Sequence, residues 1–167
     1  MFLTRIVLVF YIILISLNCS ANVVYQEPID TIVVEKQKRV MKVFHDDKLL
    51  KTYPIALGFS PAGHKKQEGD GKTPEGIYYI EGKNPQSRFH LSLKLSYPSK
   101  TDWQQAKSKG VHPGNNIMIH GVGPEFRSLN KAPKMHDWTL GCIAVKDKDI
   151  EEIFSSAQVG TKVVIKP

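Results

Sequence analysis

TIVVEKQKRVMKVFHDDKLLKTYPIAL, residues 31–57, reads as three successive strands. Thr31–Glu35 and Arg39–His45 are rich in β-branched and apolar side chains, the composition that suits a pleated, half-buried surface. Asp46-Asp47-Lys48 is a polar turn that sends the chain back as Leu49–Leu57, so the second and third runs form a hairpin. Pro54 has no N–H for a ladder, which places the third run at a sheet edge or a bulge. Beyond it, Gly58 to Gly71 is a loop, Thr73-Pro74-Glu75-Gly76 a turn, and Ile77–Ile80 and the alternating Phe89–Leu95 are strands. Thr101–Lys109 is a short helix with Ser99 or Thr101 to cap it and Gly110 just past its end. Asn116–His120 and Gly141–Val145 are two further strands, separated by a long loop over 122–138 that contains Gly123, Pro124 and Pro133. Asp147 is placed to cap a second helix carrying Ile150, Ile153, Phe154 and Ala157 on one face, and Lys162–Ile165 is the last strand. The expectation is a single, mainly β domain with two short helices; 167 residues are enough for one real core and hardly for two.

The first stretch, MFLTRIVLVFYIILISLNCSA, has another character. Arg5 is followed by an apolar run from Ile6 to Leu17 that is short for a membrane span, then by small and polar residues, the pattern of a secretory signal peptide over residues 1–21 with cleavage before Asn22. Acylation at Cys19 fits less well, because Ser16 and Asn18 are poor lipobox residues; an uncleaved anchor is the other alternative. Cleavage leaves residues 22–167 as the domain, without a further membrane span, in the periplasm or elsewhere in the cell envelope. It also leaves one thiol, Cys142, which cannot form an internal disulfide in an oxidising compartment.

The formal charge is +7, and loss of Arg5 leaves +6. A basic exported domain suits anionic polymers or membrane surfaces of the envelope. The lysines are scattered, no aromatic-basic module stands out, and export argues against nucleic acid as a partner. Gly71-Lys72-Thr73 resembles the end of a phosphate-binding loop, but Lys66 occupies the position of its first glycine. The six histidines show no metal-ligand spacing, so neither metal nor cofactor is expected.

The candidate chemistry lies in Cys142, preceded by Gly141, and His120, followed by Gly121. A glycine beside each strand end allows a sharp turn and lets a ligand approach the backbone closely, so both side chains could meet in one cleft. A free thiol has a pKa of about 8.5, and an adjacent imidazole would raise its thiolate fraction and later protonate a leaving amine. Backbone N–H groups of the Gly141 turn could hold an oxyanion. Trp138 and Tyr97 could line a pocket, although aromatics are more often core.

From about Asp30 to Pro167 the chain resembles the L,D-transpeptidase catalytic domain of the YkuD type. The resemblance is carried by GDGKTPEGIYYI (69–80), SRFHLSLKLSYP (87–98), GNNIMIHG (114–121) and DWTLGCIAV (137–145). Ile119-His120-Gly121 and Thr139-Leu140-Gly141-Cys142 match the family's histidine and cysteine segments in order. The resemblance implies a β-sandwich or barrel and a cysteine acyl-enzyme acting on peptidoglycan stem peptides, without a cofactor. Cys142 would be the nucleophile, His120 the base and then the acid, and Gly141 and Gly121 the backbone elements of the site. Thr139, His136, Tyr97 and Arg88 would be substrate contacts. Two positions depart from the common pattern: Leu140 stands where many members have His, and Ala144 where many have Arg; His136, Arg127 or Arg88 could supply the missing donor. An amine acceptor gives a transpeptidase and water a carboxypeptidase or amidase; a non-catalytic wall-binding protein would need neither Cys142 nor His120.

Overall fold

The computed structural model describes residues 27–123 and 136–167. Its strands are β1 (Ile29–Glu35), β2 (Val40–His45), β3 (Lys48–Pro54), β4 (Gly76–Ser87), β5 (His90–Leu95), β6 (Met118–His120), β7 (Ile143–Ala144) and β8 (Ala157–Lys166). They form one sheet in the order β3-β2-β1-β8-β4-β5-β6-β7. The mainly β architecture with two short helices, α1 (Lys100–Ser108) and α2 (Asp147–Ser156), is as the sequence leads one to expect. The signal-peptide segment and most of the long loop, including Pro124, Arg127 and Pro133, lie outside the described residues. No helix among the described residues is long and apolar enough to cross a membrane.

The hairpin forms as read, with Asp46 and Asp47 both at positive φ (45° and 62°). Aspartate tolerates that conformation because its short carboxylate can satisfy nearby backbone donors. β3 is an edge strand, and Pro54 ends its ladder opposite Val40. From there the structure departs from the sequence reading. Ile55–Leu57 do not continue β3; they leave β2 and cross to β7, where Ala56 and Ala144 exchange two backbone hydrogen bonds of 2.9 and 2.8 Å. β4 runs on to Ser87 instead of ending at Ile80. Its first residues pair with β8 and its later ones with β5, with register shifts at Ile80/Gly82 and Asn84/Ser87. Bulges bend and twist a strand, so this one strand turns the sheet through a corner. With the crossing at Ala56, the sheet curls until its two ends meet.

The enclosed core includes Ile32, Leu93, Leu95, Ile119, Ile143, Ile150, Ile153 and Val163, each fully buried. Every such side chain contributes roughly 1.5–3 kcal/mol relative to exposure. Helix α1 starts with a full capping box, Ser99 with Asp102, and Gly110 follows its C-cap at φ 67°. Helix α2 is a correction. Its N-cap is Lys146, without a side-chain cap, and Asp147 instead accepts the N–H groups of Val122 and Gly123 at 2.7 and 3.1 Å.

Lys36, at the end of β1, ties the 58–75 loop to the sheet. Its buried ammonium donates to the carbonyls of Gly63 (2.7 Å) and Thr73 (2.8 Å) and to Glu75 (2.9 Å). Burial lowers its pKa, and the Glu75 carboxylate opposes that shift. Lys36→Met would leave those acceptors without their donor, so we expect a loss of about 3 kcal/mol in denaturant-derived stability. Amide exchange should accelerate first in residues 58–75.

Candidate active site

The turn that carries Cys142 is held by one hydroxyl. Thr139 Oγ1 donates to the Cys142 carbonyl at 2.7 Å and accepts the Gly141 N–H at 3.1 Å. Between them Gly141 adopts φ 132°, and a Cβ there would lie 2.6 Å from the Lys72 carbonyl oxygen, so only glycine fits. The Gly141 N–H is therefore committed within the turn and is not free to hold an oxyanion, contrary to the sequence reading. Thr139 likewise shapes the turn with the hydroxyl expected to contact substrate.

Asp137 fixes the turn to the rest of the molecule. Arg39, 98 residues away in sequence, grips its carboxylate through Nε (3.0 and 2.9 Å) and Nη2 (2.6 Å), while the Leu57 N–H donates to it at 2.9 Å. A forked guanidinium–carboxylate contact of this kind sets direction as well as distance. Arg39 also donates to the Lys36 carbonyl through Nη1.

His120 ends β6, which pairs in parallel with β7 so that Ile119 lies opposite Ile143 and His120 opposite Ala144. Cys142 immediately precedes β7, two residues before Ala144, the partner of His120. The ring is buried, 1% exposed. Its Nδ1–H donates to the Gly121 carbonyl at 2.6 Å, which leaves Nε2 as the nitrogen with a lone pair. Phe89 stacks on it with centroids 4.3 Å apart, and Trp138 meets it edge-on at 5.9 Å. Gly121 is needed for close approach: a Cβ would lie 2.5 Å from Asp147 Oδ1 and 2.8 Å from the Phe89 carbonyl. Its N–H is spent on Leu91, so Gly121 orients the histidine through its carbonyl and is not an oxyanion donor.

Cys142 and His120 open into one cavity of about 560 Å³, whose lining also includes Arg88, Phe89, Trp138 and Asn116. The thiol donates to the Asn116 carbonyl at 3.5 Å. Tyr97 is not in this lining; it is buried, and its hydroxyl donates to Pro113 at 2.8 Å, holding the loop before β6. His136 is exposed and also outside the lining. Leu140 is 76% exposed on the cavity rim, whereas Ala144 is buried against Ala56. Phe89, Asn116 and the Arg39–Asp137 clamp were not singled out from sequence.

Burial pushes the Cys142 thiol above its ordinary pKa, against a downward pull from the Met118 N–H and the charge of Lys65. Burial pulls His120 down, partly opposed by its bond to Gly121. Both shifts favour a neutral thiol beside a neutral imidazole. Lys65 is itself buried and neutralised by Asp70 at 2.8 Å. Burial raises the Asp70 pKa, but Lys65 and the N–H groups of Lys66, Gln67 and Lys72 outweigh it and leave it lowered.

A thiol and a tautomer-fixed imidazole thus line one cavity at the ends of neighbouring strands. The model of the L,D-transpeptidase catalytic domain family, YkuD, matches residues 29–165, and the chain belongs to that family. YafK of Escherichia coli K12, named as an L,D-transpeptidase, is 26% identical over 129 residues, which are 74% of this chain and 45% of YafK. The helical cell shape determining protein Pgp2 of Campylobacter jejuni has the same fold, with a TM-score of 0.63 and 24% identity over 84% of this chain and 48% of Pgp2. So does an L,D-transpeptidase from Mycobacterium smegmatis, with a TM-score of 0.53 and 15% identity over 82% of this chain and 58% of that one. The chain thus spans less than half the length of YafK and of Pgp2.

Gly141→Ala should disrupt the turn, costing roughly 2 kcal/mol or more of stability. Its iodoacetamide reactivity should differ from wild type even under conditions where the variant remains folded. The shifted pKa values give a second expectation, for wild type. Because the thiol is raised and the imidazole lowered, thiolate appears late as pH rises, and the alkylation rate should climb throughout about pH 7 to 9. A plateau across that range would mean a preformed thiolate–imidazolium pair.

Proposed function

We propose that the protein is an exported cysteine acyltransferase of peptidoglycan, an L,D-transpeptidase acting on stem peptides. The observation that carries this reading is the convergence of Cys142 with a His120 whose free nitrogen is fixed by Gly121. Nε2 of His120 takes the thiol proton as sulfur attacks the carbonyl of an L-to-D peptide bond. The resulting oxyanion is met by the Cys142 N–H, since that of Gly141 is engaged by Thr139. Collapse breaks the C–N bond, His120 returns the proton to the departing amine, and the D-amino acid leaves a thioester on Cys142. An acceptor amine of a second stem then attacks, its proton passes to His120, and the thiol is regenerated.

The neutral resting pair suits this cycle. A proton moves only when the carbonyl is in place, so the thiol does not stand as an exposed anion in an oxidising compartment. The signal-peptide pattern over residues 1–21 and the basic charge support export to the anionic envelope. A role in remodelling the wall also fits the fold shared with Pgp2, a cell shape determining protein.

Purified protein incubated with tetrapeptide muropeptides should give cross-linked dimers and free D-amino acid by mass spectrometry, and Cys142→Ala should give neither. Shortened monomers without dimers would assign water as the acceptor. Unchanged substrate with retained wall binding would overturn both enzymatic readings.

A further inference from the structure

Three charged residues line the cavity, two cations and one carboxylate. Lys65 is 3% exposed and bound to Asp70 and the Gln67 carbonyl. Glu68 lies 3.4 Å from His112. Arg88 is exposed and makes no ion pair among the described residues. It follows β4 directly, and its guanidinium carbon sits 4.9 Å above the ring of Phe89, the same ring that stacks on His120. A guanidinium lying over an aromatic face keeps its edge N–H groups available, and that edge matches a carboxylate in a two-pronged contact. The nucleophile turn brings no cation of its own: Leu140 is apolar and Ala144 is buried. The cation is therefore held one ring away from the catalytic imidazole, in the turn between β4 and β5.

We propose that Arg88 reads a carboxylate of the peptide substrate and thereby places the scissile carbonyl over Cys142; this rests on the peptide-acylation reading above. The carboxylate belongs either to the C-terminal D-residue that leaves or to the side chain of the residue before it. The chemistry is shared, and amidation separates the two sources.

The test is steady-state kinetics of wild type, Arg88→Lys and Arg88→Ala on three tetrapeptides: one with free carboxylates, one amidated at the C-terminus, one amidated at the side chain. Arg88→Ala should raise KM for the free peptide about tenfold, with a smaller fall in kcat, and Arg88→Lys should lie between. Amidating the carboxylate that Arg88 reads should cost wild type the same factor and Arg88→Ala nothing further. A KM for Arg88→Ala within about twofold of wild type, or an undiminished amidation penalty in that variant, would overturn the proposal. If wild type turns over none of the peptides, the acyltransferase reading fails. The role of Arg88 is then decided by calorimetric binding of the same peptides to Cys142→Ala with and without Arg88→Ala, where equal affinities overturn it.

Discussion

The end of the fold that carries Cys142 and His120 depends on a backbone seam between residues 56–59 and 139–144. β7 is only two residues long, and its parallel pairing with β6 covers only Ile143 and Ala144. So short a ladder, slanted as parallel ladders are, has little stability of its own. The seam supplies what is missing: Ala56 and Ala144 exchange two hydrogen bonds, Thr139 donates to Leu57 at 3.0 Å, and Phe59 donates to Thr139 at 2.9 Å. Asp137 adds the Leu57 N–H and the Arg39 fork at the same place. Cys142 therefore sits on a turn that is anchored from both sides, and the anchor is made of segments distant in sequence.

The seam also explains why glycines gather beneath Cys142. A Cβ on Gly58 would lie 2.1 Å from the Gly71 carbonyl oxygen and 3.0 Å from the Gly141 Cα. Two loops and the Cys142 turn thus meet backbone to backbone, at a separation that side chains would prevent. The cost of such close contact is offset by rigidity. The thiol cannot drift from the imidazole when the turn that holds it has three fixed neighbours. Lys36 and Asp70 serve the same end from beneath, locking the 58–75 loop through buried charge-assisted bonds.

Local chemistry in the sequence was enough for the hairpin, the capped first helix, the edge position of β3 and the glycine-flanked Cys142 and His120. Each of these depends on neighbours a few residues away. The readings that needed distant partners were the ones that shifted. Strand alternation breaks at Gly82-Lys83-Asn84-Pro85, so the second half of β4 has no period to announce it; pairing with β5 holds it nonetheless. Asp147 has a good capping residue type and position, but two amides just past His120 take its carboxylate. Phe89 and Tyr97 flank the same strand, and only the curl of the sheet decides that Phe89 faces the imidazole while Tyr97 goes into the core. The Arg39–Asp137 clamp spans 98 positions and leaves no local trace.

Beside His120 the walls of the cavity are aromatic, with Phe89 and Trp138 against the ring. Of the charged residues in the lining, Lys65 and Glu68 belong to the 58–75 loop, whereas Arg88 directly precedes Phe89 and lies over its ring. Electrostatic interactions are strongest where water is excluded, so a hydrogen bond made among those aromatic walls is strengthened. The same exclusion raises the thiol and lowers the imidazole, which removes the resting ion pair. One physical cause, burial at the ends of two short parallel strands, therefore both strengthens the hydrogen bonds made there and favours the neutral thiol and the neutral imidazole. A more polar wall beside His120 would weaken both effects together.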